Sequence, residues 1–195
     1  MRLRAEVLEG GFVRLEPYAP ELRDELQAAL DCDTEAWSLF ASSGQGEQFD
    51  GWWSLSLRQM EEGTRIPFAV RERATGRVVG STSFLNIRVP HRVVEVGSTF
   101  LRPEVRSGAV NPDCKLVMLG HAFEARANRV ELVTDLRNVR SQAAIAKLGA
   151  VREGVLRRDR ITWTGHVRDT VFYSVIGDDW PAVRARLQRR LSAFC

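Results

Sequence analysis

The chain has 195 residues, 44% of them hydrophobic and 27% charged, with a formal net charge of +3. That length suits one domain with a full core, and that balance is ordinary for a soluble globular protein. No apolar run approaches the roughly 18 residues of a membrane-spanning helix, and the N-terminus, MRLRAEVLEGG, lacks the apolar core of a signal peptide, so the expected location is cytoplasmic.

In chain order, Phe12 to Glu16 alternates as a short strand before Pro17. Pro20 to Leu30 is predicted as an amphipathic helix with Leu22, Leu26, Ala29 and Leu30 on one side. A loop over Ser42 to Gly46 leads to a second helical stretch, Phe49 to Met60, which contains Trp52 and Trp53. Three strands follow: Phe68 to Glu72, Val78 to Val89 and Val93 to Leu101. The link ERATGR between the first two carries a Thr-Gly step and predicts a hairpin. Asn111-Pro112-Asp113 opens a helix to about Ala127, with Pro in the first helical position and Leu116, Leu119 and Phe123 facing inward. Val130 to Thr134 reads as a strand and Asn138 to Leu148 as a helix. Strands over Val151 to Trp163 and Val167 to Ile176 join at Thr164-Gly165, and a last helix runs from near Asp178 to Leu191.

The charge is uneven: residues 126–195 hold 14 of the 28 Lys and Arg but only 7 of the 25 Asp and Glu. A nucleic-acid binder would show a denser basic stripe interleaved with aromatics. A basic half receiving an anionic ligand and an acidic half facing a cationic one is the simpler reading. Cys32, Cys114 and Cys195 are widely spaced and odd in number, and His91, His121 and His166 lack ligand spacing, so neither a disulfide framework nor a metal site is expected.

The most informative stretch is NVRSQAAIAKLGA, Asn138 to Ala150. Asn138 is a candidate N-cap; Ala144, Ile145 and Leu148 share a face; Gly149 falls where a left-handed residue closes a helix. Asn, then Ser three residues on, then a small-residue helix ending Lys-Leu-Gly-Ala, resembles the fourth-helix motif of the GNAT N-acetyltransferase superfamily, in its RimJ/RimL-like branch. The order β-αα-βββ-α-β-α-ββ-α is the superfamily order with one terminal helix added, so the resemblance covers almost the whole chain. Periodicity alone gives only a mixed α/β protein of one domain. The resemblance implies an α/β (α+β) GNAT fold: a mixed, mostly antiparallel central sheet flanked by helices and splayed between its fourth and fifth strands. It also implies a single domain over residues 1–195, acetyl-CoA as cosubstrate and no metal.

Between Leu101 and Pro112 lies RPEVRSGAVN. A loop entering a helix N-terminus offers unpaired N–H groups and the positive end of the helix dipole, which suits a pyrophosphate. In the superfamily this loop reads Gln/Arg-x-x-Gly-x-Gly/Ala, and its amides hold the coenzyme A diphosphate. By that likeness Arg106 takes the first position, Ala109 replaces the central Gly and Asn111 the last, with Ser107, Gly108 and Val110 between them. A Cβ at Ala109 limits close approach and positive φ. Pro112 removes a donor, and Asp113 is expected to put a negative charge near the phosphate, offset by Arg106 and Lys115. An ordinary helix-capping loop is the alternative. The resemblance further implies that pantetheine pairs with a strand edge at Phe100, Leu101 and Arg102.

Acetyl transfer needs a neutral amine, a polarised thioester carbonyl and a proton for the departing thiolate. Glu95 interrupts the apolar strand VVEVGSTF where related enzymes carry a catalytic or water-positioning Glu, and a partly buried carboxyl suits proton acceptance. The Tyr that serves as general acid in much of the superfamily is absent from the Asn138 helix; by resemblance Ser141 takes that role and Asn138 bonds the pantetheine amide. As alternatives, Glu95 is a solvated strand residue, Ser141 satisfies a backbone N–H of the first turn, and Asn138 only caps. Trp52 and Trp53 lie in the segment that roofs the acceptor pocket in such folds, and helical aromatics are also usual core residues. Asp169 either orients the amine or forms a cross-strand ion pair.

The expected function is acetyl transfer from acetyl-CoA to a primary amine, foremost a protein or peptide N-terminal α-amine, with polyamines and aminoglycosides as other acceptors. The acidic stretch Asp31, Asp33, Glu35, Glu47 and Asp50 is expected to attract a cationic N-terminal segment. Rival readings are a degenerate acyl-CoA sensor and a basic nucleic-acid-associated protein. No membrane partner is expected, and a homodimer is compatible with the reading.

Overall fold

The computed structural model describes residues 1–194; Cys195 lies outside the described residues. Eight strands form one sheet: β1 Leu8–Glu9, β2 Val13–Pro17, β3 Ile66–Glu72, β4 Val78–Arg88, β5 Val93–Leu101, β6 Arg129–Asp135, β7 Val151–Ile161 and β8 Val167–Ile176. They lie in the order β1-β2-β3-β4-β5-β6-β8-β7, antiparallel throughout except for the β5–β6 pair. The helices are α1 Arg23–Leu30, α2 Phe49–Glu61, α3 Val110–Glu124, α4 Val139–Leu148 and α5 Trp180–Leu191. The mixed, mostly antiparallel sheet flanked by helices is the fold class expected from the sequence.

The two hairpins turn where the Thr-Gly steps predict, with Gly76 at φ 69 and Gly165 at φ 81, left-handed positions that favour glycine. Alternation along the strands divides the apolar residues between two cores. Phe68, Phe84, Val94, Val96 and Leu132 join Met118 and Leu119 of α3 and Leu187 of α5 on one face. On the other, Leu26, Leu30, Trp37, Phe49, Trp52 and Trp53 pack with Phe100. In α3 the fully buried positions are Cys114, Met118, Leu119 and Ala122; Leu116 and Phe123, expected inward, are half-buried. The reason is that α5 covers the outer side of α3, where Phe123 stacks on Trp180 at 5.3 Å.

Asp113 does not face a phosphate. Its Oδ2 accepts hydrogen bonds from the Phe12 and Val13 amides at 2.7 and 3.0 Å, buried on the far side of α3. Gly10 permits that approach, since a Cβ there would stand 2.3 Å from the same oxygen.

One irregularity opens the sheet. β5 and β6 pair only through Val93↔Arg129, Val94↔Val130 and Glu95↔Glu131. Beyond Glu95, β5 continues to Leu101 beside β4 alone, and β6 continues to Asp135 beside β8 alone. Opposite β4 the register passes from Ser83↔Gly97 to Ser81↔Phe100, one residue more on β5 than on β4. This is a bulge, with Ser98 at φ 49, and a bulge bends and twists the strand that carries it. The two strands therefore part into a V.

Candidate active site

The V encloses a cavity of about 570 Å³. Its walls are β5 from Glu95 to Leu101, β6 from Leu132 to Thr134, the entry to α3, and the α4 face bearing Asn138, Ser141, Ala144, Ile145 and Leu148. Because β6 leaves β5 at Glu95, the backbone groups on that side of β5 have no strand partner among the described residues from there to Leu101. They form a free edge inside a cleft, a surface ready for pairing with an extended ligand.

Glu95 sits at the vertex. It is 7% exposed, and burial pushes its carboxyl above the ordinary glutamate value, opposed by a hydrogen bond from Asn86. Arg160 and Arg168 also lower it, whereas Glu131 across the ladder raises it. Asn86 Nδ2 donates to Oε2 at 2.7 Å from a left-handed position, φ 48. Gly97 leaves room for the other oxygen, because a Cβ there would stand 2.8 Å from Glu95 Oε1. The carboxyl is thus fixed in place, buried, and on the cleft wall.

Ser141 lines the same cavity from α4. Asn138 caps α4, its Oδ1 accepting from the Ser141 amide at 2.9 Å. Gly149 closes the helix at φ 99, as its position predicts. The Ser141 hydroxyl does no capping: it has no hydrogen bond to another described residue and is left facing the cavity. The Asn138 amide nitrogen is likewise open to a ligand.

At the end of the cleft beside the entry to α3, Arg106, Ser107, Gly108 and Asn111 line the wall. The residue with positive φ is Ser107, at 68, whereas Ala109 has ordinary helical angles, φ −73 and ψ −24. A glycine is therefore unnecessary at Ala109. The first hydrogen bond of α3 is Asp113 N to Ala109 O, so the N–H groups before it have no intrahelical acceptor. Arg106 is held by neighbours: Nε donates to Leu101 O at 2.7 Å, and Nη1 pairs with Asp33 at 2.5 Å. Lys115 is the freer cation there, buried with Nζ donating to Thr99 Oγ1 at 2.7 Å, and burial lowers its pKa.

Several residues expected at the site lie elsewhere. Arg102 is off the free edge, its amide bonded to Val79 O and its side chain paired with Glu104. Ala109 and Val110 do not line the cavity, and Val110 belongs to the core. Trp52 and Trp53 are buried beside Tyr18 and Phe49 behind the cleft wall, because α2 turns its aromatic stripe onto the sheet. Asp169 Oδ1 accepts from the Arg158 amide at 2.7 Å, bracing a bulge in β7 where Arg158 has φ 50, and it opens on a separate hollow. In the acidic stretch, Asp33 is bound to Arg106, Asp50 to Arg23, and Asp31 to the Gly46 amide. None of the five lines the cavity.

In place of those acidic residues the cavity wall carries cations. Arg65, Arg160 and Arg168 all line the cavity, and Glu95 is its sole acidic lining residue among the described residues. Nothing in the local pattern marks these arginines, since burial of a guanidinium depends on tertiary placement. Asn86 was hidden for the same reason.

The acetyltransferase (GNAT) domain family matches residues 13–151. The chain belongs to the GNAT acetyltransferase family. Among solved structures, a candidate acetyltransferase from T. thermophilus is 35% identical, covers 98% of this chain and 100% of its own, and superposes with a TM-score of 0.86. A stretch of 105 residues is 26% identical to YdaF of Bacillus subtilis, classed as a candidate ribosomal N-acetyltransferase. That match spans 54% of this chain and 57% of YdaF, in line with the RimJ/RimL-like character of the Asn138 motif. Mycobacterium smegmatis RimJ, solved with a CoA disulfide, shares the fold at a TM-score of 0.79 and 19% identity, covering 94% of this chain and 92% of that one. GNAT acetyltransferases use acetyl-CoA and acetylate amines, and no described helix here is long and apolar enough to cross a membrane.

Proposed function

We propose that this single-domain GNAT enzyme transfers acetyl from acetyl-CoA to an N-terminal α-amine of a protein or peptide, in the cleft between β5 and β6. The observation that carries the reading is the meeting, on one cavity, of a buried carboxyl at Glu95, an uncommitted hydroxyl at Ser141 and the free edge of β5.

The residues present fit the cosubstrate. The free edge of β5 and Asn138 Nδ2 match an extended amide-bearing chain, and the N–H groups entering α3, with Lys115 behind them, match a pyrophosphate. Acetyl-CoA, when bound, supplies an activated acyl group on a thiolate leaving group. Glu95 takes the proton of the attacking amine, directly or through water, and its raised pKa improves it as a base. Ser141 hydrogen-bonds the departing sulfur and passes it a proton while taking one from solvent, so the C–S bond breaks to a neutral thiol and no alkoxide is left.

The α-amine preference follows from what one carboxylate can do. At pH 7, deprotonating an α-amine costs about 1 kcal/mol and deprotonating a lysine about 4.6 kcal/mol, from pKa values near 7.7–8.0 and 10.4. A lone buried carboxylate meets the smaller cost readily.

Ser141→Ala tests the site assignment. A proton donor to sulfur acts in the transition state, so kcat should fall roughly 10²-fold, at the low end for general acids because a thiolate leaves readily. The affinity for acetyl-CoA, read by calorimetry, should change less than twofold. Unchanged kcat would remove Ser141 from the mechanism.

A further inference from the structure

On the acceptor side of Glu95 the cleft carries a buried guanidinium with no hydrogen-bonded counter-ion among the described residues. Arg168 is 5% exposed, forms no salt bridge among the described residues, and has a buried Nε without a hydrogen-bond partner. Directly across the β7–β8 ladder stands Arg160, in register with it. Like charges opposite one another on a sheet repel, so this pair weakens the fold where it stands. Asp135, Asp159 and Glu95 attract the Arg168 charge, but none of them is hydrogen-bonded to its guanidinium. Asp135 is occupied by the amide and guanidinium of Arg137, and Asp159 accepts from Arg160 and from the Thr170 hydroxyl. Glu95 is held by Asn86.

Burial and the Arg160 charge both lower the pKa of Arg168. Farther along the cavity, Arg65 repeats the pattern. It is 5% exposed, with Nε on Ser83 Oγ at 3.1 Å, the guanidinium 5.4 Å over Trp52, and Nη2 buried without a partner. An unsatisfied buried guanidinium N–H is costly, and the terminal nitrogens of Arg168, which also lack a hydrogen-bond partner among the described residues but are not sealed from the cavity, are the ones an anion can reach. The phosphates of acetyl-CoA belong to the opposite end, at the entry to α3.

We infer that the acceptor carries a carboxylate close to its reacting amine, and that Arg168, with Arg160, binds that carboxylate while Glu95 receives the amine. This rests on the acceptor being an amine delivered to Glu95 and adds the chemistry that selects it. The carboxylate has two sources: an acidic side chain at the start of a peptide, or the α-carboxylate of a free amino acid. Within the proposed function, the peptide begins with an acidic residue in its first two positions. A cationic N-terminal segment, suggested by the acidic stretch outside the cleft, is disfavoured.

The test compares peptides identical except for Glu, Gln or Lys at position 2, beside free glutamate and its α-amide. Charge-assisted hydrogen bonds of this kind set an expected kcat/KM ratio of roughly 10- to 100-fold for Glu over Gln, with Lys lowest. Free glutamate outpacing both its amide and the Glu peptide would assign the carboxylate to an amino acid. In Arg168→Met, and separately in Arg160→Gln, the Glu preference should collapse while calorimetric affinity for acetyl-CoA stays within twofold. A second readout is independent of turnover: the N-acetylated Glu peptide should bind at least tenfold more tightly than the Gln product, and lose that margin in Arg168→Met. Equal rates and equal binding for Glu and Gln, or preference for Lys, overturn the inference. Absence of turnover with every amine, alongside selective binding of the Glu product, would instead overturn the proposed reaction and leave the anion site standing.

Discussion

Glu95→Gln is expected to lower kcat/KM by about 10²- to 10⁴-fold, the range for a general base. Gln keeps the size and can still accept from Asn86 Nδ2, so the loss isolates the proton-accepting role. The same substitution is expected to raise stability at pH values above the folded-state pKa of Glu95. The folded-state pKa of Glu95 lies above its unfolded value, so its contribution to stability is fully present below the unfolded pKa and lost as pH rises through the folded one. Above the folded-state pKa the ionised, buried carboxylate therefore strains the fold, and neutral Gln relieves it. In the wild type, activity should fall as pH drops through a limb above the usual glutamate range, near 4.3. Asn86→Ala removes the bond that favours the ionised form, so the limb should move to higher pH. A pH–rate profile of the three proteins checks both shifts. A Glu95→Gln enzyme within threefold of wild type would leave Glu95 a structural residue and favour a sensor.

Trp37→Ala is expected to cost about 3–5 kcal/mol in urea unfolding, the range for deleting a buried large aromatic. Trp37 is fully buried and stacks on Phe100 at 4.9 Å and 7°. Its Nε1 donates to Leu30 O, and its own carbonyl accepts from Trp163 Nε1. It ties α1, the edge strand of the cleft and the β7–β8 turn together, so its loss leaves a cavity behind β5. Trp163→Phe deletes only one hydrogen bond to that carbonyl and should cost about 1 kcal/mol. If Trp37→Ala unfolds with less than about 1 kcal/mol lost, the second core does not support the cleft wall as described.

The elements that could be read from sequence were those whose boundaries carry local chemistry. Asn138 and Gly149 bracket α4 because a side-chain cap and a left-handed residue are properties of single positions. The strands of the central sheet showed through β-branched runs between Gly turns, whereas β1, two residues long, carries no period to detect. Glu95 was legible as a charge interrupting an apolar strand. Trp52 and Trp53 were not, because a helical aromatic looks the same facing a core or a pocket; the sheet behind α2 decides it. Asp113 by its place at the helix start reads as facing the phosphate loop, and Asp169 as orienting an amine or pairing across the strands, yet each accepts from backbone amides of a different segment. Arg65, Arg160 and Arg168 are three among many arginines in composition, and only the folded sheet brings them to one cavity. The charge asymmetry of the sequence was real, but its acidic stretch lies off the cavity, with Asp33 and Asp50 in ion pairs, while basic groups line the cleft.

The central claim, acetyl transfer to an α-amine at Glu95, is tested most directly with two matched peptides and acetyl-CoA. One has a free N-terminus and blocked lysines; the other has a blocked N-terminus and free lysines. Comparing kcat/KM by thiol release, with the acetylated nitrogen identified by mass spectrometry, should favour the free N-terminus at least tenfold. A clear preference for the lysine peptide would contradict the account.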